Sequence, residues 1–487
     1  MPFVFRFPGH QACSGLVVAL GLWLGPAHAA TPVPGTVTPT PADPYPVNAA
    51  GWGGEEPHGF YSSRWVEDWT GVRGAGKAPQ LKARPIGGSA SLTLSAESRV
   101  RMAEITNGQL APGNDYAQGT VRGILGGDLR FNHHFRAFAE IGTGQVFGRR
   151  AAASTNNQND ASLQQAFLET RGYLGTTLAG LMLGRQEFAD GPRQIISLGN
   201  GPNLHRTWNG ARFFAHDRRY RVGAFVLRLT RTDHGFFDET INHGERLAGL
   251  NGSLRLPAGQ GTTAYLDPFW YRSEKPDFRL GGRTGLESRD TLGLRAWGRR
   301  ADLRFDWTLA RQTGRHLGRP IDAWGVFLVQ SYTLSRVTWT PRLGLRVDAA
   351  SGGGTFGSGT MRAFHPLYAS TGYLGEGSFL SLSNLLLLAP SVSLAPADGI
   401  TFDLEYDFAW RMRQDDAAYA GQMRTYPGTP GVPGREIGGL LRLGADWEAT
   451  RHLTLSIALE RLLAGTVLER ARLPSGTYGN VTAVFRY

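Results

Sequence analysis

The strongest constraint in the sequence is an alternation of apolar and polar residues that recurs along most of the chain. In residues 401–411, T-F-D-L-E-Y-D-F-A-W-R, one parity carries apolar side chains and the other carries mostly charged ones. Successive side chains of a β-strand point to opposite faces, so this segment predicts an amphipathic strand. The same period predicts strands at 302–309, 342–348 and 453–460. An apolar strand face suits either a protein core or lipid, so other features must decide between them.

The N-terminus predicts export. Arg6 precedes a short apolar stretch, residues 15–24, and small residues follow it. This order is typical of a secretory signal peptide, for which we expect cleavage between Ala29 and Ala30. The apolar stretch is too short for a spanning helix, which takes about 20 residues.

The chain after the leader divides into two expected parts. Residues 30–88 are rich in proline and glycine and predict an extended periplasmic segment after the signal peptide of residues 1–29. Strand patterns occupy residues 89–487, and we expect ordered chain to begin between Ser89 and Val100.

Three observations favour lipid over a protein core. No run approaches the roughly 18 uncharged apolar residues of a membrane helix, although export is predicted. Strand-period patterns recur from residue 90 to the last residue. The last residues alternate, with Val481, Phe485 and Tyr487 on one face, as in the final strand of bacterial outer-membrane proteins. The sequence predicts an all-β fold, a transmembrane antiparallel β-barrel of about 16–18 strands in the bacterial outer membrane.

The charge of the chain indicates what passes through such a barrel. The formal net charge is +11, and the only lysines are Lys77, Lys82 and Lys275. Arginine presents a planar fork that binds carboxylates through two hydrogen bonds. A lumen lined by these forks favours anions. Base composition alone also enriches arginine, and an arginine paired with an acid is structural, so both readings stay open.

Parity assigns several charged residues to the lumen face. Those expected to line it are Arg304, Arg342, Arg346, Arg411, Asp403, Glu405 and Asp407. The acids either pair with the arginines and stiffen the wall, or present mixed charge to the hydroxyl groups of a sugar.

Several separated motifs occur in a fixed order. They are L-G-R-Q-E-F-A-D-G-P-R-Q-I-I-S at 183–197, N-L-H-R-T-W-N-G-A-R at 203–212, F-H-P-L-Y at 364–368 and R-H-L-T-L-S at 451–456. Together they resemble the alginate export family of outer-membrane barrels, over most of residues 90–487. The resemblance implies a channel of about eighteen strands with an arginine-rich lumen that conducts anionic polysaccharide or uronate-like solutes.

The resemblance also implies functional positions. The residues that match its first two motifs are Arg185, Gln186, Glu187, Arg193, Arg206, Asn209 and Arg212. Asn209 stands where the family usually has aspartate, so the ion pair of that aspartate is not expected here. Arg185 shares its parity with Leu181 and Leu183, which predicts that its motif lies where the strand bends or leaves the membrane.

The predicted function is therefore passive transport through an outer-membrane channel. The expected partners are membrane lipid, anionic polysaccharide or small anionic solutes, and periplasmic export components. Nucleic acid is not expected, because the basic charge is spread along strands. No cofactor, metal site or catalytic residue is predicted; His234, Asp238, Glu239 and His243 fit no metal-ligand spacing.

Two alternatives remain at this stage. The first is a general porin without polymer preference. The second is an exported enzyme that acts on polysaccharide, because acids two residues apart on one strand face lie about 7 Å from each other, a spacing compatible with glycoside hydrolysis.

Overall fold

The computed structural model describes residues 59–74, 79–148 and 154–487. The predicted cleavage site at Ala29 and Ala30 lies outside the described residues. No helix in the described part of the chain is long and apolar enough to cross a bilayer.

Eighteen antiparallel strands form one sheet that closes on itself, as the alternation predicted. They are β1 (Ala90–Thr106), β2 (Tyr116–Arg130), β3 (Phe135–Gly148), β4 (Asn159–Leu174), β5 (Thr177–Glu187), β6 (Thr207–His216), β7 (Tyr220–Arg231), β8 (Thr240–Arg255), β9 (Thr262–Leu280), β10 (Arg283–Arg300), β11 (Leu303–His316), β12 (Arg319–Thr333), β13 (Arg342–Ala350), β14 (Leu385–Ala397), β15 (Ile400–Trp410), β16 (Glu436–Glu448), β17 (Leu453–Ala464) and β18 (Gly476–Arg486). The barrel closes where β1 pairs with β18, for example at Val100 and Ala483. Every strand therefore has two hydrogen-bonded neighbours, which a spanning sheet needs in lipid.

The remaining elements are short. A strand at Arg84–Gly87 pairs with the start of β1. The helical and hairpin pieces are Arg64–Val66, Thr70–Gly74, Gly108–Leu110, Thr371–Tyr373, Gly421–Met423, Thr466–Arg470, and Tyr419–Ala420 paired with Arg424–Thr425.

The two ends of the barrel differ in the length of their connections. At one end the strands join through short turns, such as 175–176, 301–302 and 398–399. At the other end three connections are much longer: loop A (188–206), loop B (351–384) and loop C (411–435). Outer-membrane barrels have short periplasmic turns and longer extracellular loops, so we assign the loop end to the outside.

The strand faces agree with the predicted parity. Phe402, Leu404 and Phe408 of β15 are 47%, 41% and 42% exposed on the outer surface, whereas Asp407 is fully buried on the inside. Exposed aromatic side chains near the turn end, including Tyr332, Trp339 and Trp447, form part of an interfacial belt.

One aromatic residue departs from that belt. Trp297 lies on the inner face, where its ring stacks on Tyr265 at 4.3 Å and its indole nitrogen donates to Asp267. An aromatic residue near a strand end therefore belongs to the belt only when its parity points outward.

Leu404→Arg tests the lipid face. An arginine on the lipid face near the bilayer midplane costs about 2–4 kcal/mol, so we expect the free energy of unfolding to fall by that amount. Urea unfolding of the protein in lipid vesicles measures it. Asp403→Asn, one residue away on the inner face, is the control and keeps an oxygen that accepts from Ser393. Equal effects of the two substitutions would contradict the assignment.

Candidate functional site

Loops A and B meet inside the barrel and run side by side in parallel. The backbone nitrogen of Tyr368 donates to the backbone oxygen of Ile195 at 2.8 Å. The backbone nitrogen of Ser197 donates to the backbone oxygen of Tyr368 at 2.9 Å. The backbone nitrogen of Ser370 donates to Arg193 at 2.9 Å. We call this pair of segments, residues 193–197 and 368–370, the strap.

Loop A is fixed to the wall on one side. Asp190 accepts from Arg212 of β6 at 3.3 Å and from Arg221 of β7 at 2.9 Å. The hydroxyl of Tyr271 on β9 donates to the backbone oxygen of Asp190 at 3.0 Å. One buried carboxylate thus joins loop A to two strands.

Loop B is fixed to a different part of the wall. Glu460 of β17 accepts from the backbone nitrogens of Glu376 and Gly377 at 2.7 and 2.9 Å. Arg346 of β13 donates to the backbone oxygen of Tyr373 at 2.5 Å. Because loops A and B have separate anchors and pair with each other, the strap crosses the lumen.

The strap separates two spaces. The inner cavity, about 610 Å³, lies toward the turn end, where Thr454 and Arg486 line it. The outer cavity, about 490 Å³, lies toward the loop end, where Lys275 and Met423 line it. Tyr373 of loop B lines both cavities. A solute that crosses the barrel by this route passes Tyr373.

Most arginines of the inner cavity have acidic partners. Seven arginines and five acids line it: Arg99, Arg101, Arg122, Arg193, Arg346, Arg442, Arg486, Glu376, Asp403, Glu405, Asp446 and Glu460. Glu405 pairs with Arg346 at 2.7 Å and with Arg442 at 2.5 Å. The paired arginines and acids therefore neutralise each other within the barrel wall.

Two arginines of this cavity have no carboxylate within 4 Å in the described part of the chain. Arg193 is exposed, and its guanidinium lies 5.3 Å from the ring centre of Tyr373. Arg99 is buried and donates to the backbone oxygens of Asn200 and Pro202 at 2.7 and 2.6 Å. Arg193 is therefore an exposed cation of this cavity that lies on the strap without an ion-pair partner in the described residues.

Several positions proposed from the sequence lie in the lumen. Arg193, Arg346, Asp403 and Glu405 line the inner cavity, and Arg206 lines the outer cavity.

Four further positions lie close to them. Asp407 is buried and pairs with Arg346 at 3.0 Å. Arg304 and Arg342 share the inward parity of their strands near the turn end, and Arg342 donates to Ser393 at 3.3 Å. Gln186 is buried at the end of β5.

Arg185 and Asn209 were predicted to line the pore, but both lie on the outer face of the barrel. Arg185 donates to Asn209 at 3.1 Å and pairs with Glu239 at 3.3 Å. Gly184, with a φ of +132°, marks an irregular backbone just before Arg185. The predicted bend is present, but the side chain does not line the pore.

Arg411 and Arg212 hold loops in place and do not face the open lumen. Arg411 lies one residue beyond β15, is 1% exposed, and donates to the backbone oxygens of Thr429 at 2.6 Å and Gly434 at 2.9 Å within loop C. Parity holds only while the chain is extended, so the inward prediction failed at the strand end. Arg212 is buried beside Asp190 and holds loop A.

A segment that was not predicted to be ordered enters the lumen from the turn end. We call residues 59–69 the insert. Its Arg64 is 3% exposed and pairs with Glu140 of β3 at 2.6 Å and with Glu97 of β1 at 3.0 Å. Asp68 pairs with Arg130 at 2.5 Å nearer the rim. Ordered contacts therefore begin about 30 residues before the region expected, Ser89–Val100.

The insert also contacts loop A through a chain of polar groups. Ser63 donates to Glu187, and Glu187 bonds to His205. His205 lies 3.2 Å from a guanidinium nitrogen of Arg122. Glu187, proposed as a pore residue, thus joins the insert to the end of loop A. The insert could have been predicted from the aromatic cluster F-Y-S-S-R-W-V-E-D-W, because the sequence around it is rich in proline and glycine.

Arg64→Ala tests whether the insert obstructs conduction. The substitution removes the only ion-pair partner of Glu140 in the described part of the chain, so the insert should loosen and the single-channel conductance should rise. Arg84→Ala is the control, because Arg84 is exposed in the short strand beside β1. Planar-bilayer recording measures both. A conductance equal to that of the unmodified protein would place the insert outside the conduction path.

Solved outer-membrane proteins share this architecture. Acinetobacter baumannii OccAB1 has a TM-score of 0.55 and 10% identity, over 84% of this chain and 99% of that one. Pseudomonas aeruginosa OccK2 (OpdF) has a TM-score of 0.52 and 12% identity, over 81% and 97%. The same protein in complex with glucuronate gives 0.52 and 13%, over 81% and 97%. At these identities the likeness shows the fold.

The sequence comparisons define the family. No curated protein sequence matches the chain significantly. The family model described as "Alginate export" matches residues 91–481, which is most of the chain and all but the edges of the barrel. The fold and the family are those of bacterial outer-membrane channels, and the chain belongs to the alginate export family.

Proposed function

We propose that the protein is a passive channel that favours small carboxylated sugars, namely uronates and short oligouronates. The observation that carries the proposal is the exposed guanidinium of Arg193 on the strap. It has no carboxylate within 4 Å in the described residues, and it borders the space through which a solute must pass.

The electrostatics of the inner cavity support anions. Cationic groups in a narrow, protein-walled space raise the local concentration of anions and their entry rate. Arginine also binds a carboxylate with two parallel hydrogen bonds. The acids on the same wall, such as Asp403, accept hydrogen bonds and suit the hydroxyl groups of a sugar.

The size of the open space supports small solutes. Cavities that hold small ligands are about 300–1,000 Å³, and both cavities fall within that range. The strap and the insert both lie within the lumen. One structural neighbour is known in complex with glucuronate, a solute of this class.

Passage of an extended polyuronate chain is a second candidate. The family description, alginate export, favours it. In such passage the cations of the lumen, among them Arg193, would contact successive carboxylates of the chain. We do not propose hydrolysis, because the fold is that of channels and Glu405 is engaged by two arginines.

Arg193→Gln tests the proposal. Reversal potentials under a KCl gradient in a planar bilayer should show an anion-selective wild type and a less selective variant. Block by D-glucuronate should weaken about fivefold, which corresponds to about 1 kcal/mol. Arg311→Gln is the matched control, because Arg311 pairs with Asp322 at 2.7 Å on the outer surface and is 66% exposed.

The alternatives give different results. Unselective current without glucuronate block in the wild type would reduce the protein to a general porin. Selective current that Arg193→Gln leaves unchanged would move the selectivity to other cations of the lumen.

A further inference from the structure

The outer cavity contains a second cationic centre, away from Arg193. The ring of Tyr368 lies at its base, with the guanidinium of Arg206 4.9 Å and the ammonium of Lys275 4.2 Å from the ring centre. Arg206 comes from the end of loop A and Lys275 from β9. Both cations line the cavity, so one ligand in it can contact both.

Neither cation is neutralised by an ion pair. Arg206 donates to the backbone oxygens of Ser197 and Tyr368 at 3.4 and 3.3 Å. Lys275 donates to the backbone oxygen of Leu367 at 3.4 Å. No carboxylate of the described chain lies within 4 Å of either group. A cation withdrawn from water without a partner is costly, and a bound carboxylate would offset that cost.

The ring that positions these cations is itself fixed. The hydroxyl of Tyr368 donates to Glu245 at 2.8 Å, and Glu245 also lines the cavity. Trp208 meets the same ring edge-on at 4.8 Å. Tyr368 is therefore a positioning residue, and its backbone belongs to the strap.

The neighbouring histidine adds no charge at neutral pH. His365 lines the cavity, and burial lowers its pKa to about 4 despite its contact with Glu287 at 2.7 Å. A group with a pKa near 4 is uncharged at pH 7. Arg206 and Lys275 are therefore the two cations that flank the ring of Tyr368; Arg279, Glu245 and Asp277 also line the cavity.

The rest of the lining suits a ring rather than an inorganic anion. Apolar side chains also line the cavity: Phe278, Leu374, Leu380, Leu382 and Met423. Polar groups, including Asn242 and Ser381, lie among them. A ligand with a carboxylate, hydroxyl groups and a face of C–H groups matches this combination, as a six-membered sugar acid does.

We propose that the outer cavity is an entry site for a uronic acid, separate from the constriction, in which Arg206 and Lys275 bind the carboxylate before the solute passes the strap. This proposal rests on the proposed function and adds a second binding site for the same solute. Lys275 belongs to none of the sequence motifs and is one of three lysines in the chain.

The test is block by D-glucuronate added from the loop side, recorded in planar bilayers, together with calorimetric titration of the purified protein in detergent. Lys275→Met should weaken binding about fivefold or more, by loss of about 1 kcal/mol or more. Lys275→Arg should restore most of it. D-Glucose, which lacks the carboxylate, should bind no better to the wild type than to the variant.

Matched variants separate a lost site from a damaged protein. Arg272→Met removes a charge from the same strand but from an exposed position paired with Glu274, and it should leave glucuronate binding unchanged. Arg206→Gln should weaken binding as Lys275→Met does. Heat-modifiable gel mobility reports whether each variant is folded.

The outcomes distinguish the two proposals. If Lys275→Met and Arg206→Gln both bind glucuronate like the wild type, while the channel stays anion-selective, the entry site is wrong and the proposed function stands. If the wild type shows neither selectivity nor glucuronate binding, both proposals fail. Weakened loop-side binding in both variants, with Arg272→Met unaffected, supports the site.

Discussion

Backbone pairing between loops A and B is the interaction on which the inside of this barrel depends. A connection folded into the lumen must satisfy its backbone groups, and these two segments do so with each other, at Ile195 and Tyr368. The wall then needs to hold only their ends, through Asp190 on one side and Glu460 on the other. Without the strap the two cavities would be one wide, water-filled lumen, and Arg193 would have no fixed position in it.

The wall charges divide into those that hold structure and those that remain available to a solute. Arg346 contacts two carboxylates within 3.0 Å and also the backbone of loop B, so it fixes the strap rather than attracting anions. Arg193 and Lys275 lack such partners in the described chain. The number of arginines in the sequence therefore overstates the charge that a solute meets, because ion pairs engage several arginines of the lumen, such as Arg346 and Arg442.

The barrel was predictable, because a period of two fixes both the strand and its faces, and residues such as Leu404 and Asp407 follow it. Within strands, parity also placed Arg346 and Glu405 correctly on the inner face. It failed where the backbone stops being extended, as at Arg411. Loop residues such as Arg193 carry no periodic signal, so only the family motif indicated them.

The insert shows what local patterns miss, since its contacts join residues far apart in sequence. Arg64 of the insert and Arg122 of β2 share Glu97, whereas Ser63 of the insert and His205 of loop A share Glu187. A displacement of the insert leaves Glu97 with Arg122 and Arg486 of the wall, but it removes the Ser63 hydrogen bond from Glu187, whose other partner is His205 of loop A. The bonding of loop A therefore depends on whether the insert is seated, which connects the turn end of the barrel to the strap.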